Sequence, residues 1–275
     1  MIEQYQIEQF REEGYTIVDC LNKNKLAHCA SSLAGLIASS IKKNANVYEK
    51  ILNNFSAHHL EDQDWLLHQG MLQLEKENHR YLSEIYNTLP KCTSFLQVIT
   101  DEKIVEAVNQ ILGRSSDSNL YMDPTGARMD FPGESAYSYG WHKDRDSNIP
   151  GSRFVQMWAP LITDLPNDRG GLYILPKSHL AEMNTNQSQV QRESVLDTVD
   201  IREPLRAPVS SELNFQGLQP IYPELRLGQA LLFQPEMMHK SGINLEENTM
   251  RYCVITMYHD TSYSGFHYVN LSAKN

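Results

Sequence analysis

The sequence predicts one domain in two parts: a helix-rich part over residues 1–118 and a strand-rich part over residues 119–275 that builds a β-sandwich or barrel. Three observations predict it. Before residue 113, apolar residues recur at helical spacing; from Asn119 onward, short β-forming runs alternate with Pro and Gly. Many short strands in one block suit a sandwich or barrel better than a layered α/β sheet. The chain has 275 residues, 41% hydrophobic and 21% charged, a mix that excludes disorder, collagen-like repeats and a simple coiled coil. A chain of this length buries roughly 70–75% of its unfolded surface, so neither a disulfide nor a structural metal is required.

In chain order, Phe10–Tyr15 reads as a turn into a short strand, Tyr15–Asp19. Over Asn24–Lys43, Leu26, Leu33, Ile37 and Ile41 keep helical spacing, and terminal lysines suit a helix C-terminus. A second helix is expected over Gly70–Asn87, with Leu72, Leu74, Leu82 and Ile85 as its apolar face. A third spans Asp101–Leu112, capped by Thr100 or Asp101 and ended by Gly113. Strands are expected at Ala127–Phe131, Tyr139–Lys143, Arg153–Leu161, Leu172–Leu175, Gln229–Phe233 and Tyr252–Tyr258. The polar stretch over residues 180–219 is long for a connection and reads as a lid.

Charge and cysteine usage narrow the partners. A net charge of −10, from 34 acidic and 24 basic residues, argues against nucleic acid and anionic membranes. Cys20, Cys29, Cys92 and Cys253 lack CxxC spacing, and the polar N-terminus does not read as a signal peptide. Cys29–Ile41 is too short and too serine-rich to span a bilayer. A reduced, cytoplasmic protein acting on a small molecule is expected.

The informative segment is Tyr139-Gly140-Trp141-His142-Lys143-Asp144. Residues two apart on a strand share a face, with Cα atoms roughly 6.5 Å apart, so His142 and Asp144 can meet one ion. Two ligands leave a divalent metal incomplete. His239 follows the apolar run Ala230–Phe233 at the mouth of a strand and can complete a 2-His-1-carboxylate site, the arrangement that holds Fe(II) with open positions. Arg251 opens a strand on the face of Cys253, Ile255 and Met257. A guanidinium there needs a partner, either a structural carboxylate or a ligand carboxylate gripped by its planar fork.

His142-x-Asp144, His239 and Arg251, in this order, resemble the phytanoyl-CoA dioxygenase family of Fe(II)/2-oxoglutarate oxygenases. Phe10-Arg11-Glu12-Glu13-Gly14-Tyr15, Gly170-Gly171-Leu172 through Pro176-Lys177-Ser178-His179, and Leu227–Phe233 extend the likeness over nearly the whole chain. The resemblance implies a double-stranded β-helix, a jelly roll with N-terminal helices. It implies that His142, Asp144 and His239 bind iron, that Arg251 and Ser241 hold the far carboxylate of 2-oxoglutarate, and that Trp158 lies beside the cosubstrate. It implies O₂-dependent hydroxylation with release of succinate and CO₂; desaturation, epoxidation and cyclisation would use the same residues. Where the family commonly has Gln between the first two ligands, this chain has Lys143. Lys143, Arg145 and Arg153 form either a basic patch beside the site or a solvated loop surface.

The remaining histidines read as structural. His58, His59 and His68 lie near Glu61, Asp62 and Asp64 in a loop and helix, His179 as a hydrogen-bonding residue, and His259-Asp260 at a strand end or the pocket wall. Tyr137 and Tyr139 either contact substrate or pack under the polar stretch. The rival readings are an inactive jelly-roll binding or regulatory protein, and a cupin-type isomerase or zinc hydrolase. A decayed site would be expected to lose a ligand, and neither of the last two needs Arg251.

Overall fold

The computed structural model describes residues 2–115, 119–134, 140–144, 151–166, 170–181 and 215–266. Helix α1 (Gln4–Glu13) ends at Gly14, whose φ of +88° suits glycine. A Cβ there would also run into the His179 ring, so the turn requires glycine on two grounds. Strand β1 (Tyr15–Asp19) follows, then α2 (Lys23–Lys43), which is capped by the Asn22 side chain and buries Leu26, Leu33, Ile37 and Ile41 as the periodicity predicts. Helix α3 (Ala45–Asn54) and the short helices up to Ile99 have weaker sequence signals and go beyond the reading above.

The single helix expected over 70–87 is two helices, Met71–Glu77 and Arg80–Thr88. Asn78 is extended between them, and its side chain accepts from the Arg80 N–H at 3.0 Å, capping the second helix instead of continuing the first. The helix Glu102–Ile111 starts at its Asp101 cap, and Gly113 follows its end with a φ of +66°. No helix among the described residues is long and apolar enough to cross a membrane.

The remaining strands are β2 (Leu120–Asp130), β3 (Phe154–Pro160), β4 (Leu172–Ile174), β5 (Gln229–Phe233), β6 (His239–Ser241) and β7 (Arg251–Asp260). They make a five-stranded antiparallel sheet, β1-β5-β3-β7-β2, and a two-stranded pair, β4-β6. The strand expected over 139–143 is reduced: Tyr139 lies outside the described residues, and His142 alone forms an isolated bridge, to His239. The expected lid falls largely on residues 182–214, which also lie outside them.

Strand alternation splits the large sheet into two faces. Val18, Ala127, Met129, Val155, Met157, Ala159, Ala230, Leu232, Tyr252, Val254 and Tyr258 join the helices in one core. On the other face, Trp158, Leu231, Phe233 and Cys253 form a second cluster with Leu172 and Ile174 of the small pair. Arg251 and Trp158, two of the residues singled out from the sequence, sit on this second face.

Candidate metal centre

His142 and His239 are cross-strand partners. Each backbone N–H donates to the other's carbonyl, at 2.9 and 3.0 Å, and the rings are 4.1 Å apart between centroids. The Nδ1–H of His142 donates to the Gly140 carbonyl at 2.7 Å, and that of His239 to the Met237 carbonyl at 3.0 Å. A carbonyl only accepts, so both Nδ1 atoms carry a proton, and Nε2 is the ring nitrogen turned toward the carboxylate and available as a ligand in the neutral imidazole. Phe233 meets the His239 ring edge to face, with centroids 5.0 Å apart.

Asp144 completes the group. Its Oδ1 is 3.6 Å from His142 Nε2 and its Oδ2 is 3.4 Å from His239 Nε2. Among the described residues this is the one cluster of three metal-capable side chains, with ligand atoms all within 4.8 Å. Burial, reinforced by the neighbouring His239, pushes His142 down to about 4. Burial works against the Asp144 charge, but His239, His142 and a hydrogen bond from the Gln156 amide outweigh it and hold the carboxyl at about 2. Neutral His142 and an ionised carboxylate are the protonation states a divalent cation needs. Two imidazoles and one carboxylate fit Fe(II) by donor chemistry.

A second polar group lies on the same face. Ser241 is two residues beyond His239 on β6, and its hydroxyl accepts from Arg128 Nη1 at 3.3 Å. Arg251 has the structural carboxylate the sequence left open: its Nε and Nη2 lie 2.9 and 2.7 Å from Asp130 Oδ2, and its Nη1 donates to the Gly242 carbonyl at 3.1 Å. Arg128 Nη2 reaches Asp130 Oδ1 at 2.7 Å. Asp130 thus joins two guanidinium groups from adjacent strands. Burial alone would raise its carboxyl, but Arg128 and then Arg251 hold it below the usual carboxylate range.

Trp158 lies on the site face of β3, paired in register with Leu231 and Ile255, and packs in the cluster behind the small β pair. Arg153 points elsewhere: its guanidinium reaches the Leu112 carbonyl and, at 3.9 Å, Asp260. It therefore does not contribute to a basic patch at the site. Arg145, Tyr137 and the rest of 145–150 lie outside the described residues. His179 Nε2 bonds to the Arg11 carbonyl at 3.0 Å, a structural role as expected. His259 ends inside the sheet, held by Ser152 at 2.5 Å and the Asp123 carbonyl at 2.7 Å. His59 packs against Phe55 and Trp65, while His68 accepts from the Met250 N–H at 3.1 Å, so these two histidines have structural partners.

Arg128, Asp130 and Gln156 escaped the sequence reading. Their signal was there: Arg128-x-Asp130 is a same-face charged pair in the strand expected at 127–131, and Gln156 is an amide inside the apolar run Phe154–Pro160.

The chain has known relatives by family and by fold. The family model described as phytanoyl-CoA dioxygenase matches residues 10–252. No curated protein matches the chain in sequence. Among solved structures, the chain is similar in fold to the epimerase SnoN of nogalamycin biosynthesis in complex with Fe³⁺, alpha ketoglutarate and nogalamycin RO. That likeness has a TM-score of 0.57 at 13% identity, covering 94% of this chain and 83% of that one. The non-heme alpha ketoglutarate dependent carbocyclase SnoK of the same biosynthesis gives 0.51 at 13%, over 94% and 84%. EctD from S. alaskensis, with 2-oxoglutarate and 5-hydroxyectoine, gives 0.55 at 15%, over 95% and 77%.

Proposed function

The chain belongs to the phytanoyl-CoA dioxygenase family and is an oxidoreductase that depends on iron and 2-oxoglutarate; we propose that it hydroxylates a small-molecule metabolite, with O₂ consumed and succinate and CO₂ released. The observation that carries this reading is the convergence of His142, Asp144 and His239 on one point. In this reading the three side chains hold the iron, and the whole chain, residues 1–275, is a single oxygenase domain. The five-stranded sheet and the β4-β6 pair would then be the two walls of a double-stranded β-helix around the site.

Iron with 2-oxoglutarate and O₂ supplies the oxidising power. The chain's own residues do the rest. The Gly140 and Met237 carbonyls hold the two imidazoles in the tautomer that offers Nε2 to the metal. Arg251 and Ser241 bind the far carboxylate of 2-oxoglutarate, with Arg128 beside them as a second cation. Asp130 holds both guanidinium groups in place before the cosubstrate arrives, which reduces the ordering left to binding. Trp158 closes the apolar wall behind the cosubstrate, and Phe233 keeps water from His239.

The test is anaerobic. Metal-free protein given Fe(II) and 2-oxoglutarate should develop a weak visible charge-transfer band, and admitting O₂ should yield succinate. A screen of metabolite extracts should then find one compound that gains the mass of one oxygen atom. A protein that forms neither band nor succinate would be the inactive binding protein instead. A second reading of the outcome comes from SnoN and SnoK, an epimerase and a carbocyclase. A product of unchanged mass, or one lighter by two hydrogens, would favour that type of outcome at the same residues.

A further inference from the structure

The metal carboxylate has a support outside the ligand set. Gln156 lies in the middle of β3, between Phe154 and Trp158, and is 2% exposed. Its partners in register are Phe233 on β5 and Met257 on β7, both apolar. In this setting its amide N–H donates to Asp144 Oδ2, while its own carbonyl Oε1 is buried with no hydrogen-bond partner. The two ends of the amide are not interchangeable. A carboxylate only accepts, so the nitrogen must face Asp144 and the carbonyl is the end left unmatched. A buried acceptor without a donor is unfavourable, and an apolar side chain of similar volume would suit Phe233 and Met257 better. The amide serves the carboxylate, not the packing of the sheet.

Resting on the metal-site reading above, we propose that Gln156 is a positioning residue for the metal carboxylate. It donates to Oδ2, which lies 3.4 Å from His239 Nε2, and so fixes the carboxylate in the rotation that sets Oδ1 3.6 Å from His142 Nε2. A carboxylate already held in its ligating rotation loses less freedom when the metal arrives, so the amide raises affinity without itself ligating. Outer hydrogen bonds of this kind are typically worth about 10–100-fold in metal affinity.

Gln156→Met removes the donor at nearly constant volume, and Gln156→Asn keeps an amide on a shorter stem. The Asp144 side chain is 21% exposed, so water can replace the lost donor in the metal-free protein. The metal-free melting temperature of Gln156→Met should therefore match or exceed the parent's. Metal-free parent and variants are titrated anaerobically with Co(II), followed by calorimetry and visible absorption. Affinity should fall about 10–100-fold in Gln156→Met and by an intermediate factor in Gln156→Asn. Equal affinity in the parent and Gln156→Met overturns the proposal. Loss of the fold in both variants overturns it too, because Gln156 would then be holding the sheet together. A parent that itself takes up no Co(II) would instead bring down the three-ligand reading.

Discussion

The two faces of the large sheet are built from the same strands, one residue out of step, and have opposite chemistry. On β3, Val155, Met157 and Ala159 enter the core under the helices, while Gln156 and Trp158 face the site. On β7, Tyr252 and Val254 point to the helices, and Arg251 and Cys253 point to the site. The helix face is close to wholly apolar; its Thr256 is matched by Thr125 through a 2.8 Å hydroxyl contact. The site face buries Asp130, Gln156 and Arg251 and half-buries Arg128 among apolar neighbours. Area removed from water stabilises the first face. The second buries groups that are unfavourable unless paired, and here Asp130 pairs with both guanidinium groups and Gln156 with Asp144.

If the faces divide labour in this way, substitutions on the two should separate stability from ligand affinity. The largest effect is expected from Asp144→Ala, which removes the one carboxylate of the proposed metal site. Succinate formation should fall to background and Co(II) binding should be lost, while the melting temperature of the metal-free protein stays near the parent's. Undiminished turnover would withdraw the metal assignment.

Next is Arg251→Lys. Lysine lacks the fork that reaches Asp130 and, in the proposed reading, the 2-oxoglutarate carboxylate as well. Loss of one partner from a buried pair costs about 3–5 kcal/mol, or roughly a hundred- to a few-thousand-fold in 2-oxoglutarate affinity. Fe(II) affinity should stay near normal, and parallel anaerobic titrations measure both. A variant that lost iron yet kept its 2-oxoglutarate affinity would make Arg251 a support for His239 alone.

Leu232→Ala tests the opposite face. Leu232 is fully buried in the helix-side core, so the truncation should cost about 2–5 kcal/mol of stability in urea unfolding. Metal and 2-oxoglutarate affinities of the folded protein should be unchanged; a drop in either would mean the faces are coupled through the strand.

The smallest effect concerns Asp130→Asn and acid. The Asp130 carboxyl is held below its ordinary value in the folded state, so its stabilising contribution is present above the unfolded value, about pH 4, and is lost as pH falls further. Melting curves taken from about pH 6 to about pH 3 should show the Asn variant losing less stability over the acid end than the parent. Parallel curves would show that the two arginines do not depend on the Asp130 charge.

Local chemistry made much of this molecule legible from its amino acids. Helix α2 announced itself through Leu26, Leu33, Ile37 and Ile41, and β1 and β5 lie where their β-forming runs do. His142, Asp144, His239 and Arg251 stood out because a polar group at strand spacing in an apolar run needs a reason. The break at Asn78 was missed because a side-chain cap competes with helix periodicity over a single residue. Arg128 lies 113 residues from Ser241, and Asp130 lies 121 from Arg251. Gln156 is 12 from Asp144. Strand spacing says which residues share a face, but not which strands become neighbours. That pairing, β2 beside β7 and His142 opposite His239, follows from burying the apolar face under the helices, and only the tertiary structure decides it. The residue types that carry the chemistry were therefore set by the chain itself, and the partners that hold them in place by the packing of the sheet.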